Sequence, residues 1–418
     1  MIAGRARRIV FALVALAVLL ALVAYWGTRP ERVSALVLQQ IGKALGLEIT
    51  ATGASQYTLE GGPRIVLRDV VAREPGSKGV VLRAKRIDVA VPWSTVRSGG
   101  ADLAIRHLEL DAPVLDLRAM QHWLASLPPS EQKMPTLSNG LRVRDGQVLG
   151  DGWSIDALAL DVPRVLPERA VEARVSGRYV DAPTQVPFAL NASLSKPAND
   201  AALSAHGAIT VQQPAWRLVS QVKLSGPLHI GEGGARIAPL RMSLASRYVA
   251  GDTDLPFAFA VNGPLRIEGS AISLSPAGVA LRGRGVVPDF DARAALAYTN
   301  AASLHLAGTL ATWPAEWPAL PPPIGQSTAS LPFVLDYAGA VDFSDIAHLQ
   351  VARDDTRFDG RFRLPDVLAW IDDTHASPLP PLAGRITTPR LEIAGAVLEG
   401  VDARFHDSGL DEPARAQP

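Results

Sequence analysis

Residues 64–91 read RIVLRDVVAREPGSKGVVLRAKRIDVAV. Apolar side chains recur at every second position in both halves of this stretch, alternating mostly with charged residues. The apolar members of the pattern are Ile65, Leu67, Ile87, Val89 and Val91. Alternation with a period of two is typical of strands with one apolar and one solvated face. Pro75-Gly76 marks a turn between the halves, so the stretch predicts a β-sheet.

The same alternation continues along the chain. Leu108 and Leu110 follow it after a phase slip at Arg106–His107, and short half-buried strands recur from Leu141 onward. Gly226-Pro227 and Gly263-Pro264 separate several of these runs and predict hairpin turns. Consecutive hairpins without crossover helices indicate an antiparallel meander.

Two short helices and two breaks interrupt the strands. Leu117, Met120, Leu124 and Leu127 have helical spacing, and the pattern after Leu364 predicts a helix over 365–373. The predicted organisation is 1–28 cytoplasmic stub and anchor, 29–127 helix and first β module, 128–140 linker, 141–312 central β-rich region, 313–326 proline-rich break, 327–409 C-terminal β module, and 410–418 disordered tail.

The N-terminal segment predicts a membrane anchor. Ile9 to Trp26 carries no charge, and its eighteen helical residues span roughly 27 Å, close to the hydrocarbon thickness of a bilayer. Arginines precede it, and Tyr25 and Trp26 close it as interfacial anchors. A cleaved signal peptide is the rival interpretation. Cleavage after Ala24 or Ala21 would place a leucine where a small residue is needed, so we favour an uncleaved anchor.

Orientation and the next element follow from this anchor. We expect the N-terminus in the cytoplasm and the bulk of the chain outside it, because a long downstream chain translocates largely regardless of charge. An amphipathic, membrane-proximal helix comes next. Its apolar positions are Val33, Leu36, Val37, Ile41, Ala44 and Leu45. This helix either packs on a core, caps the end of a sheet or lies near the membrane surface.

Composition excludes several classes of function. Lys plus Arg equals Asp plus Glu at 41 each, which argues against nucleic acid as the main partner. The chain has no cysteine, so thiol nucleophiles, Fe–S clusters and cysteine-based zinc sites are excluded. A cysteine-free chain suits an oxidising bacterial periplasm, although many cytosolic proteins share the feature.

Searches for catalytic chemistry give an expectation of no enzyme, no metal and no cofactor. The eight histidines form no metal-binding spacing, and His107 is interpreted as a surface or hydrogen-bonded histidine. Asp354-Asp355 and Asp372-Asp373 are interpreted as solvated charges. Gly283-Arg284-Gly285 is a lone G-x-G without a following helix, and no nucleophile elbow or P-loop lysine occurs.

Both ends of the chain resemble the AsmA family, which is related to TamB-like and YhdP-like proteins. An uncharged anchor leads into PERVSALVLQQIGKALG, and LEITATGASQYTLEGGPRIVLRDVVA follows with Ile65, Leu67, Asp69 and Val70 at the family's positions. Leu108, Leu110 and Pro113 match its L-x-L-x-x-P strand. Residues 349–364 and 381–409 resemble its closing strands, whereas the Gly…Asn-Trp landmark retains only Trp123 and the centre matches only in being strand-rich.

The resemblance implies a mainly β fold: an elongated, antiparallel, folded-over sheet forming an apolar groove, with a few short helices after a single transmembrane helix. It implies a single-pass protein of the bacterial inner membrane, largely periplasmic, that handles phospholipid or another envelope lipid and supports outer-membrane homeostasis. The candidate lipid-facing residues are Ile65, Leu67, Ile87, Val89, Val91, Leu108 and Leu110. A closed sandwich core remains the alternative for this face.

A second function is kept open. The chain has the layout of a structural or assembly factor for outer-membrane proteins, or of the type II secretion N component, which also combines one anchor with a β-rich periplasmic domain. Its partners would then be other envelope proteins. An open apolar trough favours lipid binding, and an interior filled by side chains favours the assembly role.

Overall fold

We describe the protein from a computed structural model that covers residues 46–410, apart from 53–55, 59–61, 77–78, 94–103, 127–135, 232–233, 318, 321, 323, 342, 373–380 and 394. The predicted anchor at Ile9–Trp26 and the predicted helix from Val33 to Leu45 lie outside these residues, as does nearly all of the predicted tail. Within the described part, no helix is long and apolar enough to cross a membrane.

The described chain is mainly β, as predicted, and forms two compact units, Met1–Pro197 and Ala198–Pro418. Both predicted short helices are present: α1 covers Leu117–Ser126 and α2 covers Leu364–Asp372. Two single-turn 3-10 helices, η1 at Ile324–Gln326 and η2 at Ser408–Leu410, lie in the second unit.

The first unit holds the strands before residue 198. They are β1 Glu48–Ala51, β2 Gln56–Thr58, β3 Arg64–Arg73, β4 Val80–Ala90, β5 Ala104–Ile105, β6 His107–Asp111, β7 Val114–Asp116, β8 Thr136–Leu137, β9 Leu141–Leu149, β10 Ser154–Val162, β11 Val171–Asp181 and β12 Thr184–Leu194. From β9 to β12 each strand pairs antiparallel with the next, as the meander prediction requires.

Parallel pairings near α1 depart from the prediction. β6 and β7 both run parallel to β9, and β5 runs parallel to β8 in a separate two-stranded sheet. A tight hairpin joins only antiparallel neighbours, so a parallel neighbour needs a crossover connection. The chain between β7 and β9 contains α1 and supplies that connection.

The second unit is a continuous antiparallel meander in which each strand pairs with the next along the chain. Its strands are β13 Asp200–Gln212, β14 Arg217–Gly231, β15 Gly234–Ala250, β16 Thr253–Glu268, β17 Ala271–Arg282, β18 Phe290–Tyr298, β19 Ala302–Leu310, β20 Leu331–Gly339, β21 Ile346–Arg353, β22 Thr356–Arg363, β23 Leu382–Ile393 and β24 Ala396–Phe405.

The Gly-Pro dipeptides predicted as hairpin turns lie inside long strands instead. Gly226-Pro227 is within β14 and Gly263-Pro264 is within β16. Next to them, Ala238-Pro239 and Ser275-Pro276 each fall where the register of β15 and β17 shifts by one residue. A β-bulge accommodates proline because the residue there is outside the regular ladder of hydrogen bonds. The prediction was wrong because sequence alone does not separate a bulge from a turn.

Most buried apolar residues in the strands of the second unit lie on one face of the meander. Leu331 is 1% exposed and packs with Leu310 and Phe333, and a larger cluster around Val261 and Val279 spans β13 to β19. Continuous contact among neighbouring strands makes this face the core of the unit.

Replacing Leu331 by alanine should therefore destabilise the second unit. We expect Leu331→Ala to lower the free energy of unfolding by about 3 kcal/mol, since it removes buried methyl groups and leaves a cavity. Val341→Ala is the matched control, because Val341 is 65% exposed and should be near neutral. Urea unfolding followed by tryptophan fluorescence measures both. Equal midpoints for the two variants would contradict the packing described here.

Candidate functional site

The structure places six of the seven predicted groove residues in two adjacent rows of the first unit. Backbone register aligns Ile65, Val89 and Leu108 across β3, β4 and β6. The neighbouring row consists of Leu67, Ile87 and Leu110. The seventh, Val91, follows β4 and donates its backbone N–H to the carbonyl of Pro63 at 2.9 Å.

These two rows are unevenly covered. Leu67 is 6% exposed and packs with Val70, which is 2% exposed, whereas the other predicted groove residues are half-buried. Ile65 and Ile87 contact the same cluster. The β3 portion of this face is thus a packed core, and solvent reaches more of it toward β6.

A longer set of apolar rows crosses the second unit, which sequence reasoning did not include among its candidates. The first, which we call the Leu224 row, links directly paired residues of every strand from β13 to β24. Its members are Ala205, Leu224, Met242, Val261, Val279, Ala292, Gly308, Phe333, Val351, Phe358, Ile386 and Ala403.

Two further rows flank it on the same face. The Val222 row comprises Gly207, Val222, Leu244, Phe259, Leu281, Phe290, Leu310 and Leu331. The Ile237 row comprises Ala201, Leu228, Ile237, Leu265, Leu274, Leu296, Leu304, Tyr337, Ala347, Phe362 and Leu382. Together the three rows form an apolar face, which we call the row face.

Burial differs sharply between the two faces of this sheet. Val261 is 4% exposed, while its neighbours Ala260 and Asn262, which point the other way, are exposed. Among the described residues of 198–418, every strand belongs to one sheet, so no second sheet of that unit covers the row face. The burial of Val261 comes from packing within an apolar cluster that also includes Ile237, Leu274 and Val279.

A concavity of about 780 Å³ lies on β13 to β18 and is lined mainly by side chains that alternate with the Leu224 row and so point to the opposite face. Lys223 and Arg241 line it together with the small residues Ser204, Ser243 and Ala260. This concavity therefore belongs to the polar face of the sheet and not to the row face.

The first unit carries a charged cluster on the face opposite its apolar rows. Asp88 is fully buried and accepts two hydrogen bonds from Arg64, Nε to Oδ1 at 2.8 Å and Nη2 to Oδ2 at 2.6 Å. Arg86 also contacts Asp88 Oδ2 at 2.6 Å and reaches Asp111 at 2.9 Å. Glu109 Oε1 lies 2.7 Å from Nη1 of Arg144, a residue of β9.

Electrostatics in this cluster follow from the hydrogen bonds. The pKa of Asp88 lies below its ordinary value because Arg64 donates hydrogen bonds to the charged carboxylate. The pKa of Arg64 is raised by the same contact, and the pKa of Arg86 is raised chiefly by Asp111. Asp88, Arg64 and Arg86 are thereby held in their charged forms, which is typical of a structural network that fixes strands in register.

The residues considered for catalysis are dispersed. Asp354 and Asp355 form the exposed turn between β21 and β22, and His107 contacts Glu109 at 3.3 Å. His305 and His348 each contact an aspartate across neighbouring strands. In the described part of the chain, no group of three or more His, Asp or Glu side chains could hold a metal ion. The arrangement offers apolar surface and fixed charge.

Comparisons with protein-family models, with curated protein sequences and with solved structures find no match to this chain.

The buried carboxylate predicts a specific pH dependence. We expect Asp88→Asn to lower the free energy of unfolding at pH 7 by about 2–3 kcal/mol, since two arginines lose their charged acceptor. A carboxylate whose pKa is depressed in the folded state stabilises it above the unfolded pKa of about 3.9, and that stability is lost as the pH falls through the folded pKa. The gap between wild type and variant should therefore narrow below pH 4.

Urea unfolding of both proteins between pH 7 and pH 2 measures this gap. Asp254→Asn serves as the control, because Asp254 pairs with Arg247 at the surface with half its side chain exposed. A gap that stays constant down to pH 2 would show that the charge of Asp88 is not what stabilises the cluster.

Proposed function

We propose that this chain is a non-enzymatic, membrane-tethered envelope protein of the AsmA type. In this proposal it binds lipids, or helps move them between membranes, in an apolar groove, and thereby supports outer-membrane homeostasis. The tether is the segment Ile9–Trp26, which would place the remaining chain in the periplasm beside the inner membrane. The resemblance of both chain ends to the AsmA family supports the location and the class.

The observation that carries the proposal is the row face. Three apolar rows run side by side from β13 to β20, and the Leu224 row passes through β13 to β24 without one charged or hydrogen-bonding side chain. At about 4.8 Å between neighbouring strands, this row follows roughly 50 Å of sheet. Such a surface is long enough to hold an extended hydrocarbon chain along its length.

Physical chemistry explains why a lipid would use it. Burying each methylene group recovers about 0.8 kcal/mol, so an acyl chain of ~16 carbons leaves a bilayer only for a continuous apolar surface. The opposite face of the same strands supplies water-compatible residues, including the exposed Lys223 and Arg241. A sheet curved toward the row face would shield the chain from water while remaining soluble outside.

A second candidate is an assembly factor for envelope proteins. In the described chain, β24 pairs only with β23, and Val397 and Leu398 on it are 48% and 46% exposed. A strand with one unpaired edge is a template for a strand of another protein. This observation supports a protein partner at the C-terminal end of the sheet and leaves the row face without a role.

Lipid binding is tested by placing a charge on the row face. We expect wild-type protein extracted in mild detergent to retain phospholipid detectable by native mass spectrometry. Met242→Asp should reduce the retained lipid at least tenfold, because a carboxylate in the Leu224 row must be desolvated against the acyl chain. Ser243→Asp is the matched control, since Ser243 is the next residue of β15 and lies on the exposed opposite face.

Circular dichroism of both variants verifies that they fold. Wild-type protein without lipid, or Met242→Asp with as much lipid as Ser243→Asp, would refute the proposed groove. Pull-down of envelope proteins that is lost when β24 is altered, from a chain free of lipid, would favour the assembly role.

A further inference from the structure

The concavity of about 780 Å³ on β13 to β18 lies on the polar face, which is the side of the sheet opposite the row face. Its floor consists of the small residues Ala260, Gly278 and Ala280 on β16 and β17. A Cβ atom added at Gly278 would meet only the Asn262 side chain, at 3.7 Å from its Oδ1, so the space above this glycine is open. A flat group can therefore lie directly against the backbone of the sheet.

Two cations border this floor. Register places Lys223 opposite Ser243 and Arg241 opposite Ser225, so the two cations are diagonal neighbours on β14 and β15. Diagonal positions of an antiparallel pair lie roughly 7–8 Å apart, which lets both side chains reach one bound group. Both cations line the concavity, and both are exposed.

The charge of these two residues is not neutralised. Among the described residues, no carboxylate forms an ion pair with Lys223 or Arg241. Asp291 is the only carboxylate among the described residues that line the concavity, and both of its oxygens already accept hydrogen bonds from Arg282 at 2.7 Å. The concavity therefore has an excess of positive charge, and the repulsion between the two cations falls when an anion lies between them.

Neutral hydrogen-bonding groups lie beside the cations. Ser225, Ser243 and Asn262 line the concavity, and their side chains form no hydrogen bond within the described part of the chain. Asn262 stands directly opposite Arg241 across β15 and β16. Hydroxyl and amide side chains both donate and accept hydrogen bonds, which matches the hydroxyl groups of a sugar or polyol. The neighbouring ammonium and guanidinium groups match the oxygens of a phosphate.

From this arrangement we infer that the polar face holds a binding site for a phosphorylated sugar or polyol. The phosphate lies between Lys223 and Arg241, and the hydroxyl-bearing part lies against the floor. This site is separate from the row face, so the inference does not rest on the proposed lipid-binding function. It gives the polar face a role beyond contact with water.

Isothermal titration calorimetry of the full-length protein in nonionic detergent tests the ligand class. The probes are glucose 6-phosphate, glucose and inorganic phosphate. We expect glucose 6-phosphate to bind at least tenfold more tightly than glucose, because the phosphate makes charge-assisted hydrogen bonds to both cations. It should also bind several-fold more tightly than inorganic phosphate, which lacks the hydroxyl-bearing ring. Its affinity should fall as NaCl is added, since both cations are exposed.

Variants with matched controls locate the site. The double variant Lys223→Met, Arg241→Met should bind glucose 6-phosphate at least tenfold more weakly. Arg236→Met should leave the affinity unchanged, because Arg236 is an exposed arginine of β15 outside the concavity. Gly278→Leu should weaken binding without removing a charge, since the leucine fills the floor. Ala297→Leu is its control, because Ala297 is exposed on β18 outside the concavity.

A sugar phosphate also occurs as the headgroup of a phospholipid. Adding phosphatidylinositol to the detergent micelles, with phosphatidylcholine as the control, separates this source from a soluble ligand. Competition by phosphatidylinositol alone would support the inferred chemistry and assign it to a headgroup. Binding of glucose 6-phosphate without such competition would support it and assign it to a soluble ligand.

Several results would overturn the inference. Wild type that binds glucose as tightly as glucose 6-phosphate, or binds neither, would exclude the site. An unchanged affinity in the double variant, shown by circular dichroism to be folded, would exclude the two cations. Inorganic phosphate that binds as tightly as glucose 6-phosphate would leave a site for simple anions and overturn the sugar. None of these results bears on lipid retention by the row face, so the two proposals fail separately.

Discussion

The register of the backbone hydrogen bonds in β13 to β24 decides which side chains share a face, and every property of the row face depends on it. A slip of one residue would move the apolar set of a strand to the solvated side. β15 contains an extra residue at Ala238-Pro239, and without this bulge Ile237 and Met242 would lie on opposite faces. Ser275-Pro276 does the same in β17. The bulges are therefore what keeps three rows continuous.

In the first unit, ion pairs between strands fix the register. Arg64, Asp88 and Glu109 lie on β3, β4 and β6, and Arg144 adds β9, so one network ties together strands that run both parallel and antiparallel. A parallel junction has no hairpin turn to set its alignment. Buried ionic groups that are fully paired specify one arrangement, because any other register would leave a desolvated charge unpaired. The apolar rows on the opposite face have the same alignment, because they belong to the same strands.

Much of this architecture could be predicted from the sequence. Alternation at Ile65, Leu67, Ile87 and Val89 gave the strands and their shared face, and helical spacing gave both helices. Gly226-Pro227 led to a wrong hairpin prediction. A Gly-Pro pair is typical of a turn, but here the neighbouring strand contains an extra residue that lets the strand continue, and only the pairing of the strands shows this. The parallel placement of β9 and the length of the rows are likewise properties of strand order. Each strand contributes only one residue to a row, so no local sequence pattern predicts the row.

Arg353 illustrates the same limit in another way. In the sequence it begins Arg-Asp-Asp-Thr, which is typical of an exposed polar turn, and only the register shows that the first of these residues lies at the end of an apolar row. Pairing fixes the surroundings of this residue. Arg353 stands opposite Thr356 across the hairpin, and Thr356 contacts Thr388 on the next strand, so apolar side chains give way to polar groups at this end of the sheet. A local sequence pattern does not show these contacts, because they come from strands that meet only through the register.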